Sequence, residues 1–210
     1  MNVLVIGSNG QIGRQIVKML ALDKGFFVRA MIRDPHQAEA LEKLGAKPII
    51  ADLEQDFSYA YDAVDAVIFT AGSGGNTGPE KTIAVDQDAA IKATNIAEQR
   101  GIKRFIMISS IHAGEPDKGP ESLATYLIAK GKADDHLMAS KLPYTIIRPV
   151  SLTNEAATGR VDLVSDTSLT TIPRSDVAAF TVEALTHQEA QNKIYEIASG
   201  SRDVDTFDFN

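Results

Sequence analysis

A tyrosine and a lysine four positions apart, Tyr126 and Lys130, are the side chains best suited to chemistry in this sequence. Residues with this spacing lie on one face of a helix, although the spacing also arises by chance. An ammonium group beside a phenol stabilises the phenolate, so we expect Lys130 to lower the pKa of Tyr126 from its usual value of about 10. Tyr126 is therefore a candidate acid or base at neutral pH.

A glycine-rich turn near the start of the chain could hold a phosphate. An apolar run at 3–6 leads into its residues, which are Gly7, Ser8, Asn9, Gly10, Gln11, Ile12 and Gly13. Glycine tolerates positive φ and has no Cβ, and a helix that begins near Gln11 points free N–H groups into the same space. The first gap is one residue longer than in the Gly-x-Gly-x-x-Gly dinucleotide motif. We predict a nucleotide site from this variant, with a purely structural turn as the alternative.

The end of the second predicted strand bears on the choice of cofactor. In dinucleotide-binding folds, an acidic residue about twenty positions beyond the glycines binds the ribose of NAD, whereas an arginine accommodates the 2′-phosphate of NADP. Here Arg33 precedes Asp34, which favours NADP(H) and leaves NAD possible. Arg33 could instead be a solvated charge paired with Asp34. Asp52 and Leu53 could flank the adenine or could be turn residues.

Strand-like and helical patterns alternate along the chain. Strands are predicted at 3–6, 26–32, 48–51, 66–71, 104–108, 144–148 and 193–197, and the main helices at about 11–20, 35–45, 85–100, 123–140 and 175–185. On the Tyr126 helix, Leu123, Leu127 and Leu137 are predicted core residues. The alternation predicts an α/β fold, a doubly wound parallel sheet between two layers of helices. Ligands of such sheets bind at the carboxyl ends of the strands.

Two later segments are expected to approach a ligand. The glycine-rich loop from Gly72 to Pro79 follows a strand, which favours a ligand-contacting turn over a flexible linker. From Val150 to Ile172 the periodicity fails, so we predict a substrate-covering segment at about 150–175. The 210 residues suit one domain, 1–210. The acidic tail, 202–210, could fray.

Composition excludes several classes of site and partner. The chain has no cysteine, and its four histidines are scattered, so we predict no metal. A net charge of −7 without a basic block argues against nucleic acid or an acidic membrane as partner. The sequence also lacks a membrane-spanning run and a signal-peptide pattern. We expect a cytoplasmic monomer or small homo-oligomer that takes a small-molecule substrate.

The glycine turn, the serines after the fifth strand and the Tyr126–Lys130 pair, in this order, resemble the short-chain dehydrogenase/reductase superfamily. More narrowly, the chain is similar to its small atypical members, the NmrA-like or NAD-dependent epimerase/dehydratase-like proteins. The resemblance runs from Met1 to about Ile197 and includes Val28–Pro35, Thr70–Gly74, Arg104–Ser110, Tyr144–Pro149 and Arg174–Ala178. It implies the NAD(P)-binding Rossmann fold.

The resemblance also implies roles for individual residues. Tyr126 would exchange a proton with a substrate carbonyl or alcohol, and Lys130 would hold the nicotinamide ribose and tune Tyr126. Ser110, rather than Ser109, would hydrogen-bond the reacting oxygen. Further cofactor contacts would come from Ala71, Gly72, Ser73, Ser109, Pro149 and Val150.

Each of three other features near the carboxyl ends of the predicted strands is open to two interpretations. Relatives with a full proton relay often carry asparagine on the central helix, where this chain has Asp86, with Asn95 further along. His112 could reach the pocket or make a structural hydrogen bond. Arg174 could meet an anionic substrate or could be a charge near the start of the last helix.

These features favour an NADP(H)-dependent oxidoreductase acting on a small carbonyl, quinone, flavin or sugar-like substrate. Related epimerases and dehydratases that act on nucleotide sugars carry a larger C-terminal lobe, for which the roughly sixty residues after Pro149 leave little room. The alternative is an NmrA-like redox sensor that binds NADP without turnover.

Overall fold

The computed structural model describes residues 1–75, 77–164 and 171–210. The strands in chain order are β1 (Asn2–Ile6), β2 (Phe27–Ile32), β3 (Lys47–Ile50), β4 (Ala66–Phe69), β5 (Arg104–Ile108), β6 (Tyr144–Pro149), β7 (Ser151–Thr153), β8 (Arg160–Leu163), β9 (Thr171–Pro173), β10 (Lys193–Ser199) and β11 (Arg202–Asp203). The helices are α1 (Gln11–Leu22), α2 (Ala38–Glu42), α3 (Pro79–Thr82), α4 (Ala90–Gln99), α5 (Ala124–Ala139) and α6 (Arg174–Thr186). A π-helical segment, Ile83–Ala89, joins α3 to α4. Short 3₁₀ turns lie at Pro35–Gln37, Ser58–Tyr61, Pro116–Lys118, Glu121–Leu123, Gln188–Ala190 and Val204–Thr206.

The main sheet has the strand order β11-β8-β10-β6-β5-β4-β1-β2-β3. Neighbouring strands from β10 to β3 are parallel, whereas β8 and β11 pair antiparallel at the other edge. Strands β7 and β9 form a separate parallel pair. The predicted doubly wound parallel sheet is therefore confirmed. Its strand order reverses between β1 and β4, and in such sheets this switch opens a ligand crevice at the carboxyl ends of the strands.

Each face of the sheet is covered by its own hydrophobic core. Successive side chains of a strand point to opposite faces, so Val3 and Val5 pack in one core and Leu4 and Ile6 in the other. The first core contains apolar residues of α1 and α6, and the second contains those of α4 and α5. These layers hold the strand ends, and the loops that follow them, in fixed relative positions.

The acidic tail packs against the first core, which corrects the expectation that it frays. Phe209 is 2% exposed and contacts the rings of Phe180, Tyr195 and Phe207. The Tyr195 hydroxyl donates to the Phe209 carbonyl oxygen at 3.0 Å. The aromatic residues of the tail alternate with acidic ones, so the charge lies outside while the rings are buried.

The segment after β6 contains the short strands β7, β8 and β9, where irregular chain was expected. Strands of three or four residues are too short to show a period in the sequence. The Asp176 carboxylate accepts the backbone N–H groups of Thr158 and Gly159 at 2.9–3.1 Å, and so anchors this segment to α6. Residues 165–170 of the predicted substrate-covering segment lie outside the described part of the chain.

Candidate active site

Two adjoining cavities, of about 500 and 450 Å³, form a groove along the carboxyl ends of the central strands. We call the larger one the tyrosine cavity, because Tyr126 and Lys130 line it, and the smaller one the arginine cavity, because Arg33 lines it. The two cavities share the lining residues Thr70, Ala71, Gly72, Ser73 and Thr77. The groove is therefore continuous from one end to the other.

The glycine turn lies at the base of the groove and allows a close approach to its backbone. Gly7 has φ +84°, and a Cβ atom there would lie 2.6 Å from the Ala71 nitrogen, so glycine is required. A Cβ atom on Gly13 would overlap the carbonyl oxygen of Gly7. The Gly10 N–H donates to that same oxygen at 3.0 Å and closes the turn. Bare backbone and the N-terminus of α1 thus suit a pyrophosphate.

The predicted residues of this turn have different surroundings. Those that line the arginine cavity are Gly7, Asn9 and Gly10, while Ile12 lines the tyrosine cavity. Ser8 is buried, and its hydroxyl donates to the Met31 carbonyl oxygen at 2.7 Å. Gln11 is exposed, and it is not among the described residues that line either cavity. Ser8 therefore stabilises the turn from beneath.

The arginine cavity collects the residues predicted to bind the adenosine half of a cofactor. Arg33, Asp52 and Leu53 all line it. Asp34 accepts the His36 N–H at 2.9 Å and caps the following turn, and the described residues include no ion pair between Asp34 and Arg33. Lys81 and Glu54, which were not predicted from the sequence, also line the cavity and form an ion pair. The two residues are 27 positions apart in the sequence, so their contact could not be predicted from local spacing.

The acid–base candidates lie on one face of α5. Lys130 is 2% exposed, and its Nζ donates to the Ile108 carbonyl oxygen at 2.8 Å, at the end of β5. Tyr126 is half-buried and lines the tyrosine cavity one helical turn away. The predicted pair therefore sits at the far end of the groove from Arg33.

Burial and nearby carboxylates set the proton affinities in this cavity. Burial raises the pKa of Tyr126 above its usual range, the charge of Asp86 raises it further, and the Ser110 hydroxyl opposes them. Burial lowers the pKa of Lys130, whereas the charges of Asp86 and Asp134 raise it. The prediction that the Tyr126 pKa is lowered is therefore wrong, because burial and negative charge dominate. Tyr126 is a neutral phenol at neutral pH.

Asp86 belongs to the π-helical segment and lines the tyrosine cavity, although it is only 1% exposed. Its Oδ2 accepts the Ser73 N–H at 3.0 Å, which links this segment to the loop after β4. Asn95 bonds the His136 Nε2 atom at 2.7 Å and is not among the described lining residues. Of the two candidates on the central helix, Asp86 is thus the one at the site.

The two serines after β5 have separate surroundings. The Ser109 hydroxyl donates to the fully buried carboxylate of Asp134 at 2.8 Å, and Arg148 donates to the same oxygen at 2.9 Å. Ser110 lies close enough to Tyr126 to affect its pKa. Asp134, four residues beyond Lys130 on α5, was not predicted from the sequence. Its helical spacing from Tyr126 and Lys130 is the signal that could have found it.

Pro149 and Val150, predicted to contact the cofactor, are both buried. They are absent from the described linings of both cavities. Val150 is 4% exposed and donates its N–H to the Ile197 carbonyl oxygen at 3.0 Å, while the Pro149 carbonyl accepts the Ile111 N–H at 3.0 Å. Leu152, two residues further on, lines the tyrosine cavity in their place.

Three other predicted residues are placed as follows. Arg174 donates to the Asn154 side-chain oxygen at 2.8 Å, and His112 has φ +61° in the loop after β5. The described linings of both cavities contain neither Arg174 nor His112. Leu123, predicted to be core, is 44% exposed and lines the tyrosine cavity, because it ends a 3₁₀ turn before α5 begins. Leu123 therefore belongs to the wall of the groove.

Comparison with known proteins decides the family. A model of NAD(P)H-binding proteins matches residues 7–188, which include the glycine turn, Arg33 and the Tyr126 helix. The chain belongs to this NAD(P)H-binding family. A relative, YhfK of Bacillus subtilis, named as an uncharacterized sugar epimerase, is 41% identical over 207 residues, which cover 97% of each chain.

Solved structures that are similar to this chain agree with this placement. One from Bacillus halodurans, assigned without proof of activity as an NAD-dependent epimerase/dehydratase, has 43% identity and a TM-score of 0.94, with 98% of this chain and 97% of that chain covered. The anaerobillin reductase ChuY of Escherichia coli O157:H7 has 25% identity and a TM-score of 0.80, with 96% and 98% covered. The predicted epimerase/dehydratase-like resemblance and the class of NAD(P)-dependent oxidoreductases and epimerases are confirmed.

Membrane-spanning helices and metal clusters are both absent from the part of the chain that the structure describes. No helix there is long and apolar enough to cross a membrane. The same residues contain no group of three or more histidine, aspartate or glutamate side chains placed to hold a metal ion. The predicted single domain, cytoplasmic location and monomeric or small homo-oligomeric state stay predictions.

Proposed function

We propose that the protein is an NADP(H)-dependent oxidoreductase that reduces a small carbonyl compound, with Tyr126 as the proton donor. The observation that carries the proposal is the continuous groove, which has the glycine turn and Arg33 in one cavity and Tyr126 with Lys130 in the other. When bound, the nicotinamide cofactor supplies the hydride. The chain must then orient the substrate and provide a proton.

The protonation state of Tyr126 favours reduction. A phenol whose pKa is raised holds its proton at neutral pH, so Tyr126 acts as an acid and donates from Oη to the substrate oxygen. Ser110 would hydrogen-bond the same oxygen. Lys130 donates one ammonium hydrogen to the Ile108 carbonyl oxygen and has two more to donate, which suit the ribose hydroxyls of the nicotinamide half.

Contacts in the arginine cavity support NADP(H) over NAD(H). Arg33 is exposed and lines the cavity, and a guanidinium can bind a 2′-phosphate with two parallel hydrogen bonds. Asp34 accepts a backbone N–H of its own turn, so its carboxylate is engaged there. The Arg33 guanidinium is therefore available to bind the 2′-phosphate of NADP(H) in this cavity.

Oxidation of NADPH by purified protein against a panel of carbonyls, quinones and flavins tests this proposal. We expect Tyr126→Phe to lower kcat by roughly 10²–10⁴ while NADPH binding is retained. The matched control is Tyr144→Phe. Tyr144 is a half-buried tyrosine on β6 that packs against the second core, so this variant should keep the kcat of the parent protein. Equal rates for Tyr126→Phe and the parent protein would overturn the role of Tyr126. Binding of NADPH with no turnover of any substrate would favour the redox-sensor alternative.

A further inference from the structure

The tyrosine cavity is rich in hydroxyl groups. Besides Tyr126, seven serine and threonine residues line it, namely Thr70, Ser73, Thr77, Thr82, Ser109, Ser122 and Thr125. A hydroxyl can donate one hydrogen bond and accept two. The Ser109 hydroxyl already donates to Asp134, and the Thr77 hydroxyl donates to the Gly74 carbonyl oxygen, so these two offer a ligand acceptor capacity only. The Ser73 and Thr82 hydroxyls lie 3.3 Å apart and share one hydrogen bond, which leaves further capacity on both. Such a wall matches a ligand that carries several hydroxyl groups of its own.

The charges in this cavity do not suit an anion. Among the described lining residues, only Asp86 and Lys130 are charged. The Lys130 ammonium is buried, bonds the Ile108 carbonyl oxygen and faces the carboxylates of Asp86 and Asp134. Arg174, the cation considered for an anionic substrate, bonds Asn154 instead. Residues 76 and 165–170 contain no lysine or arginine in the sequence.

We propose that the substrate accepted beside Tyr126 is an uncharged molecule with several hydroxyl groups, and that Asp86 excludes phosphorylated or carboxylated ones. A sugar-like hydroxycarbonyl compound fits this description. Its hydroxyl groups can donate to the Asp86 carboxylate, whereas a phosphate would meet the like charge of Asp86. The nearby Lys130 ammonium is buried and already faces the carboxylates of Asp86 and Asp134, so it offsets this repulsion little in a partly desolvated site. This inference rests on the proposed function, in that it concerns the substrate of the same site.

Equilibrium binding to the NADP⁺-loaded protein, measured by ligand-observed NMR, tests the substrate class without requiring turnover. The probes are D-ribose, D-ribose 5-phosphate and pentanal, which share five carbons and differ in charge and hydroxyl groups. We expect D-ribose to bind at least about tenfold more tightly than either of the others, since a like-charge contact or a set of unpaired hydroxyls opposes them. Equal or tighter binding of D-ribose 5-phosphate, or no measurable binding of D-ribose, would overturn the proposal.

The variant Asp86→Asn tests the effect of the Asp86 negative charge on ligand affinity, because asparagine has nearly the same shape and no charge. Asparagine keeps an acceptor for the Ser73 N–H and removes the negative charge, so we expect the affinity for D-ribose 5-phosphate to rise about tenfold relative to that for D-ribose. Asp88→Asn is the control, because it removes the same charge from an exposed position on the same segment and should alter neither affinity. Equal effects of the two variants would contradict the role of Asp86. If the binding pattern holds but D-ribose and related carbonyls are never reduced by NADPH, the oxidoreductase proposal fails and the ligand class stands.

Discussion

The carbonyl oxygen of Gly7 occupies the space that a side chain on Gly13 would need. The first turn of α1 therefore packs directly on the turn after β1, and its free N–H groups are held at the base of the groove. A Cβ atom on residue 13 would also lie 2.9 Å from the Ser8 Cα atom. Neither neighbour can move away without distorting the turn.

Gly13→Ala should therefore weaken NADPH binding and cost about 1–3 kcal/mol of unfolding free energy, as overpacking does. Calorimetric binding and thermal unfolding measure the two effects. Gly101→Ala is the control, since residue 101 has φ +63° and a Cβ atom there would meet no described atom within 4 Å. It should lose about 1 kcal/mol from backbone strain yet bind NADPH normally. Unchanged NADPH affinity in Gly13→Ala would contradict the assignment of this turn to the pyrophosphate.

The adjacent serines should separate stability from catalysis. Ser109→Ala leaves the buried Asp134 with one donor fewer, so we expect a loss of about 1–3 kcal/mol in unfolding free energy with kcat largely kept. Ser110→Ala should lower kcat by roughly 10²–10³, as the loss of one donor to a developing oxyanion does, with little change in stability. Denaturant unfolding and steady-state kinetics on both variants check this. A large loss of kcat in Ser109→Ala together with a loss of stability in Ser110→Ala would contradict these assignments.

Arg33→Ala should lower the affinity for NADPH by at least about tenfold, because a charge-assisted hydrogen bond to the 2′-phosphate is lost. NADH serves as the internal control, since it lacks that phosphate and its affinity should stay nearly constant. Fluorescence titration with both cofactors gives the ratio. Tighter binding of NADH than NADPH by the parent protein would show that the cofactor is NAD.

The Tyr126 phenol should ionise at higher pH than an ordinary tyrosine, because burial and the charge of Asp86 oppose the phenolate. Ultraviolet difference titration, with Tyr126→Phe subtracted to isolate this group, measures its pKa. In Asp86→Asn the pKa should fall, since a negative neighbour has been removed, and in Asp88→Asn it should not change. A Tyr126 pKa at or below about 10 in the parent protein would mean that Lys130 dominates after all.

Much of the fold could be predicted because its signals are local. Strand-length apolar runs alternate with helical patterns, and that alternation dictates parallel strands whose carboxyl ends meet. This placed Arg33, Ala71 and Tyr126 along one groove. The buried tail was not foreseen, because the acidic composition of 202–210 concealed the alternating Phe207 and Phe209.

The proton affinities could not be predicted for a different reason. The spacing of Tyr126 and Lys130 indicates that they share a helical face, but a pKa depends on burial and on charges from other elements. Asp86 comes from the π-helical segment Ile83–Ala89, and its effect on Tyr126 exists only once that segment packs on α5. The roles of Ser109 and Asp134 likewise follow from a contact across 25 positions of sequence.

Transfer of deuterium from the cofactor tests the proposed reaction most directly. NADPH deuterated at the hydride-donating carbon is incubated with the protein and small uncharged hydroxycarbonyl compounds, and the products are analysed by mass spectrometry. Reduction predicts a product that carries one deuterium, formed roughly 10²–10⁴ times more slowly by Tyr126→Phe. NADPH that binds but keeps all of its deuterium with every carbonyl, or equal transfer by the parent protein and Tyr126→Phe, would contradict it.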